Sequence, residues 1–356
     1  MKFYNTLITG IGSHIPKIVM KNSDFLQHEF YTEDGQSIDA SNEEIISKFV
    51  NITGIEERRY AHPSMVTSDL ATSAAEKAIA DAGIDRETID LIIVAHNFGD
   101  VTLGSKQPDI LPSIASRVKH NLKIKSSNAV AYDVLFGCPG WVHGVIQSHA
   151  YFRAGMAKRA LVIGAETLSR VVDKHDRDAM IFADGAGAAI IDYVEEDFKR
   201  GILATATASD TYDEAYYLYY GKSNKKDSDH HNYIKMLGRK IYEYALVNVP
   251  KAMKTALDKS GVEIDQIKKV IIHQANEKMD EAIVSRFYRQ YKMQMPAEIM
   301  PMNIQTLGNS SVATIPTLYD GIKQGVYDQH QISEGDVYLF ASVGAGMNIN
   351  AFVYKH

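Results

Sequence analysis

Three short stretches hold the residues best suited to covalent or acid–base chemistry. The first is VAYDVLFGCPGWVHGVIQSHAYF, residues 130–152, which carries the chain's single cysteine, Cys138. Residues 130–136 read as a strand, and Gly137 permits a tight turn. Pro139 suits the first helical position, where a missing N–H costs nothing. Cys138 is therefore expected at a helix N-cap, near the positive end of the dipole. That setting lowers a thiol pKa and favours a nucleophile over a buried structural thiol. The second stretch is KKVIIHQANEKMD, residues 268–280, in which His273 ends a buried strand and is followed by Gln274 and Asn276. The C-terminal ends of strands are where α/β folds place functional groups. The third is LGNSSVATIPTLYDG, residues 307–321. Asn309 follows Gly308 and is placed to cap a helix that begins after it. Pro316 implies either a kink in that helix or a late start. His143 and His149, on the helix after Cys138, read as structural or surface groups.

Elements that must position these residues recur along the chain. AIADAGIDRETIDLIIVAHN (78–97) and ALDKSGVEIDQIKKVIIHQAN (256–276) align on Gly83 and Gly261, half a chain length apart. Each reads as an amphipathic helix ending near its glycine, a turn, and a buried β-branched strand. RALVIGAE (159–166) likewise resembles FASVGAG (340–346), setting Gly164 against Gly344. Between these anchors, Gly137-Cys138 and Gly308-Asn309 occupy corresponding points, each followed by helical sequence ending near Gly155 or Gly325. The period is far longer than a solenoid repeat and implies two related α/β halves, 1–199 and 200–356, with central sheets covered by helices. Residues 97–112 and 221–232 read as irregular or exposed excursions.

Composition excludes several classes. The 356 residues are 45 % apolar and 23 % charged, ordinary for a globular protein able to bury a large core. One cysteine cannot form an intrachain disulfide or a cysteine zinc site, and no HExxH motif points to another metal. A net charge of -6 gives no global basic field for nucleic acid. The N-terminal sequence does not read as a signal peptide, and apolar runs are too short for a membrane helix, so a cytoplasmic protein is expected. There is no P-loop, and GAGAAI at 185–190 lacks the strand–turn–helix context of a dinucleotide site.

Taken together, DVLFGCPG, IIHQAN and GNSSVATIP resemble the three active-site blocks of the β-ketoacyl-ACP synthase III family of the thiolase superfamily. ITGIGSHIPK near the start, NITGIEERRY, FADGAGAAI and SVGAGMNINAFVY have counterparts in the same order, so the resemblance spans nearly the whole chain. It implies duplicated βαβαβαββ halves in a five-layered αβαβα arrangement, a homodimer, and no cofactor. Cys138 would accept an acyl group as a thioester. His273 and Asn309 would stabilise the enolate formed when a malonyl-ACP extender loses CO₂. The backbone N–H groups of Cys138 and of the Gly344-Ala345-Gly346 turn (Ala345, Gly346) would form an oxyanion hole. The substrates would be an acyl thioester on coenzyme A or acyl carrier protein and malonyl-ACP, with acyl carrier protein as partner, in fatty-acid or polyketide-type synthesis.

Several positions depart from the family pattern. The turn is GAG where the family usually has three glycines. The tryptophan and arginine that clamp the coenzyme A adenine are replaced by Lys48 and Ile52, although Arg170 matches another arginine near that adenine. Phe136, Pro139 and Trp141 stand where the family usually has small residues around the cysteine. A carrier-facing lysine is replaced by Glu243, while Arg239, Lys240 and Lys278 keep basic character nearby. Readings that compete with the condensing enzyme are a ketosynthase-like acyltransferase, a specialised aromatic-polyketide condensing enzyme on the same fold, a non-catalytic partner subunit and, remotely, a nicotinamide oxidoreductase.

Overall fold

The computed structural model describes residues 2–105, 107–228 and 230–356. Its strands in chain order begin with β1 (Phe3–His14), a small antiparallel pair β2 (Ile18–Lys21) and β3 (Glu57–Tyr60), β4 (Leu91–Ala95) and β5 (Val130–Val134). These are followed by β6 (Arg159–Thr167) and β7 (Asp184–Glu196). Then come β8 (Gly201–Ser209), a hairpin of β9 (Leu218–Lys222) and β10 (Asn232–Met236), β11 (Ile267–Ile272), β12 (Val337–Gly344) and β13 (Asn348–Lys355). The helices are α1 (Asn42–Thr53), α2 (Thr67–Ala82), α3 (Ile114–Asn121), α4 (Gly140–Arg153), α5 (Gly238–Ser260), α6 (Glu277–Arg289), the short α7 (Ile304–Leu307) and α8 (Thr314–Lys323).

Two sheets share one strand plan. The first runs β1-β7-β6-β4-β5 and the second β8-β13-β12-β11. In each, the two strands nearest the start of that order pair antiparallel and the strands carrying β-branched runs pair parallel. LIIVA in β4 and VYLFASVG in β12 are buried along their whole lengths, as strands covered on both faces must be. α2 and α3 cover the outer face of the first sheet through Leu70, Ala71, Ala74, Ala78 and Val118. α5 and α6 cover the second through Val249, Met253, Ile283 and Phe287. Between the sheets, α4 and α8 supply Trp141, Val145, Phe152, Ile315 and Leu318 to a shared core with Ile93, Tyr338 and Phe352. The result is a five-layer αβαβα stack, the arrangement expected from the resemblance.

The repeat anchors end helices as expected. α2 and α5 are closed by Gly83 and Gly261, each in the left-handed conformation that favours glycine. The strand expected over 130–136 stops at Val134. Pro316 lies in the first turn of α8, a late start rather than a kink. Residues 97–112 hold no helix or strand among those described, only an isolated bridge between Asp100 and Asp109. Part of 221–232 is more ordered than a loop, because β9 and β10 bracket it. Lys106 in the first region and Asp229 in the second lie outside the described residues.

Candidate active site

Cys138 leaves the end of β5 through Gly137, whose φ of +65° is one that only glycine adopts without strain. α4 starts at Gly140 with Pro139 as its N-cap, so Cys138 stands one residue ahead of the cap rather than on it. The turn is locked against the second half of the chain. A Cβ on Gly344 would lie 2.4 Å from Cys138 N, and one on Gly137 would lie 2.6 Å from Ala345 N. Asn350 Nδ2 donates to the Pro139 carbonyl at 3.3 Å. The cysteine backbone and the 344–346 turn are thus in direct backbone contact.

The segment 309–314 ties the three residues together. Asn309 is held beside Phe182 by a strand-like bridge, with Asn309 N donating to the Ile181 carbonyl and Ala183 N donating to the Asn309 carbonyl, each at 2.9 Å. Its Oδ1 accepts from Ser311 N at 2.8 Å, which leaves the Nδ2 donors facing away from that turn. Ser311 Oγ donates to Cys138 Sγ at 3.3 Å. Thr314 Oγ1 donates to the Ser311 carbonyl at 3.0 Å and lies 2.7 Å from His273 Nδ1, so it ties the imidazole to the same turn. His273 itself follows the last residue of β11 and is fixed by its N–H donating to the Ala341 carbonyl. Burial pushes its imidazole down to about 3, so the ring stays neutral through the ordinary pH range.

The thiol departs from the expectation. Enclosure by protein pushes Cys138 up to about 11, and the Ser311 hydrogen bond offsets only part of that. The helix N-terminus does not prevail because the sulfur sits before the cap and desolvation disfavours its anion. The neighbouring histidines are structural. His143 stacks on Phe136 at 4.0 Å, and His149 Nδ1 meets Thr6 Oγ1 at 2.7 Å. Trp141 is fully buried, with Nε1 donating to the Val162 carbonyl at 3.2 Å, so it packs the middle layer.

The residues expected at a coenzyme or carrier face divide. Arg170 is only 3 % exposed, and its guanidinium donates to the carbonyls of Val101, His62 and Met65. It staples two loops instead of facing solvent. Arg239 is exposed and pairs with Glu243 at 2.8 Å, Lys240 lies over the Tyr217 ring, and Lys278 is exposed at the start of α6. Lys48 and Ile52 both stand exposed on α1. Phe98, in the first irregular region, packs on Tyr220 of β9 at 5.2 Å. Lys235, buried against Asp173 and Asp176 at 2.6 and 2.9 Å, clamps the β9–β10 hairpin in place. A cleft of about 390 Å³ under 97–112, lined by Asp100, Asp109 and Arg117, contains none of Cys138, His273 or Asn309. Ser311 and Thr314 are functional neighbours that the sequence motif does not single out. Their only signal was spacing, two and five residues after Asn309.

A five-layer stack with a cysteine, a histidine and an asparagine drawn to one place from both sheets defines a thiolase-type condensing enzyme. The profile of the family described as 3-oxoacyl-acyl-carrier-protein (ACP) synthase III matches residues 132–211, and that of its C-terminal region matches residues 257–356. The chain is 33 % identical over 355 residues to the beta-ketoacyl-acyl-carrier-protein synthase III of Ruegeria pomeroyi, covering 98 % of each. It is 34 % identical over 343 residues to the synthase III 1 of Halalkalibacterium halodurans, covering 96 % of this chain and 95 % of that one. The crystal structure of the Aquifex aeolicus 3-oxoacyl-acyl-carrier-protein synthase III superposes with a TM-score of 0.79 at 31 % identity, over 99 % of this chain and 100 % of that one. The priming β-ketosynthase of the R1128 polyketide pathway, at 23 % identity and a TM-score of 0.80, shares the fold. The chain belongs to the 3-oxoacyl-ACP synthase III family and is a condensing enzyme of the acyltransferase class.

Proposed function

We propose that this protein loads an acyl group onto Cys138 and condenses it with malonyl-ACP in fatty-acid or polyketide-type synthesis. The observation that carries this reading is the 309–314 segment. It holds Asn309, touches the Cys138 sulfur through Ser311 and touches His273 through Thr314. In the first half-reaction the cysteine sulfur attacks the acyl thioester carbonyl. The carrier thiol leaves with the proton, and the acyl group becomes a thioester of Cys138. In the second, the malonyl C–C bond breaks and CO₂ leaves. The electron pair passes into the thioester as an enolate, held by His273 and Asn309 Nδ2. The enolate carbon then attacks the acyl-Cys carbonyl, and Cys138 departs. The tetrahedral oxygen is met by N–H groups of Cys138 and of the 344–346 turn, with Ala345 and Gly346 as donors. Each donor of such a hole is worth about 3 kcal/mol of transition-state stabilisation. Incubation with acyl-ACP, followed by malonyl-ACP, should give an acyl-enzyme and then a 3-oxoacyl-ACP with stoichiometric CO₂. Loading without a condensed product would support a plain acyltransferase instead.

The donor is read as acyl carrier protein rather than coenzyme A. No aromatic residue stands at Lys48 or Ile52 to stack an adenine, and Arg170 is committed to backbone carbonyls. Exposed Arg239, Lys240 and Lys278 suit an acidic carrier. Loading rates with matched acyl-CoA and acyl-ACP distinguish the two. The halves 1–199 and 200–356 act as one catalytic unit, each supplying part of the site. A homodimer is supported by β5, an edge strand of the first sheet with Val130 exposed and Leu135 exposed just past its end, because unpaired apolar edges invite pairing. Light scattering on the purified protein should return twice the chain mass. The reading needs no metal or cofactor and places the enzyme in the cytoplasm. Among the described residues no helix is long and apolar enough to cross a membrane.

A further inference from the structure

One buried acid beside the site has no part in the chemistry above. Glu166, near the end of β6, is 1 % exposed. Asn97 Nδ2 donates to Glu166 Oε1 and, with its second hydrogen, to Ser311 Oγ at 3.0 Å. Ser311 Oγ contacts Cys138 Sγ at 3.3 Å. A serine hydroxyl has one hydrogen. Because Asn97 donates to its oxygen, that hydrogen is directed onward to sulfur. The bonds therefore diverge from the Asn97 amide, one hydrogen going to the Glu166 carboxyl and the other to a hydroxyl that donates on to Sγ. Ser311 is also held at φ +52°, a left-handed conformation that is strained for a non-glycine residue. Such strain persists where surrounding contacts impose it, and here it aims the hydroxyl at the cysteine.

We propose that Glu166, Asn97 and Ser311 form a hydrogen-bond relay, anchored at the carboxyl and diverging from the amide, that presents a single donor to Cys138 Sγ and thereby sets the nucleophilicity of the thiol. Ser311 touches the reacting sulfur, and Asn97 and Glu166 are positioning residues. Glu166 fits the role as an uncharged anchor. Burial, with Asp184 nearby, raises its carboxyl well above the usual range, and an anion there would oppose a thiolate. The ionisable groups around the relay are Glu166 on β6, His273 after β11, which burial keeps neutral, and Asp184 on β7, which is itself faced by Arg170. His143 on α4 is set aside against Phe136.

Cys138 is the only cysteine, so alkylation of the intact protein reads this one sulfur. The test is the pH profile of iodoacetamide alkylation, followed by mass spectrometry. Ser311→Ala and Asn97→Ala should move the midpoint up by about one pH unit, and the rate at pH 8 should fall about fourfold, since a more basic thiolate is also intrinsically more reactive. Ser311→Gly relieves the left-handed strain yet lacks the hydroxyl, so it should fold at least as well and show the same shift. Glu166→Ala should shift the profile as well, and Glu166→Gln, which retains an acceptor for Asn97, should restore it. Profiles superimposable on wild type for Ser311→Gly and Asn97→Ala, in variants of unchanged melting temperature, would overturn the relay. The proposal rests on Cys138 being the reactive group, but alkylation needs no acyl donor. Normal shifts in a protein that never becomes acylated would leave the relay standing and refute the acyl-acceptor reading alone.

Discussion

The turns 137–140 and 308–314 occupy the same place in two sheets built to one plan, yet they do opposite things with it. Both start from a glycine of nearly equal φ, +65° at Gly137 and +66° at Gly308. In the first, the helix begins almost at once, at Gly140, and the residue after the glycine is a cysteine whose backbone N and Cβ lie against Gly344. In the second, a 3-10 turn over Ser311–Ala313 delays the helix until Thr314, and Asn309 folds its own Oδ1 back onto Ser311 N. The short route presents a nucleophile with a tightly packed backbone. The longer route adds residues whose side chains reach across to the first turn and to His273. A duplicated scaffold can thus give one copy the bond-making atom and the other copy the donors that surround it.

Removing the thiol is the most severe way to break this division. Cys138→Ala should abolish acyl loading and lower condensation at least about a thousandfold, measured as 3-oxoacyl product. Removing the donors should split the two half-reactions. Asn309→Ala and His273→Ala should cut malonyl decarboxylation about a hundredfold or more while acyl loading stays within a few-fold of wild type. Equal losses in both steps would mean that the second turn serves Cys138 and not the extender. Gly344→Ala probes the backbone lock: its Cβ would fall 2.4 Å from Cys138 N, so overpacking of about 1–3 kcal/mol and slower steps throughout are expected, read by thermal melting and turnover. Thr314→Val should be milder, lowering decarboxylation about tenfold with an unchanged melting temperature, because it removes only the hydroxyl that orients His273. The pH dependence sharpens the same contrast. With the thiol near 11, alkylation of Cys138 should rise about tenfold per pH unit through neutrality, whereas His273, near 3, should add no inflection between pH 5 and 8. Smallest is the effect of Arg239→Glu with Lys278→Glu, a few-fold rise in KM for acyl-ACP that salt should diminish.

Much of this arrangement can be read in the sequence because it depends on local patterns. Gly83 and Gly261 mark helix ends, LIIVA marks a strand buried on both faces, and Gly137-Cys138 and Gly308-Asn309 mark the two turns. What resists reading depends on contacts between distant segments. Asn97, Glu166 and Ser311 come from three separate stretches, and nothing in their local spacing brings them to one sulfur. The thiol pKa runs opposite to the sequence expectation because a helix start is visible in sequence and desolvation is not. Arg170 is placed near an adenine only by its match to a family arginine, and local sequence does not show that the carbonyls of His62, Met65 and Val101 enclose it. The hairpin β9–β10 was hidden by the polar run between its strands.

Mass spectrometry of the intact protein after incubation with an acyl-ACP tests the covalent role of Cys138 most directly. The expected result is one acyl adduct per chain, mapped to the peptide containing Cys138, lost in Cys138→Ala and discharged by malonyl-ACP. No adduct on the wild-type protein, or an adduct that survives Cys138→Ala, would contradict it.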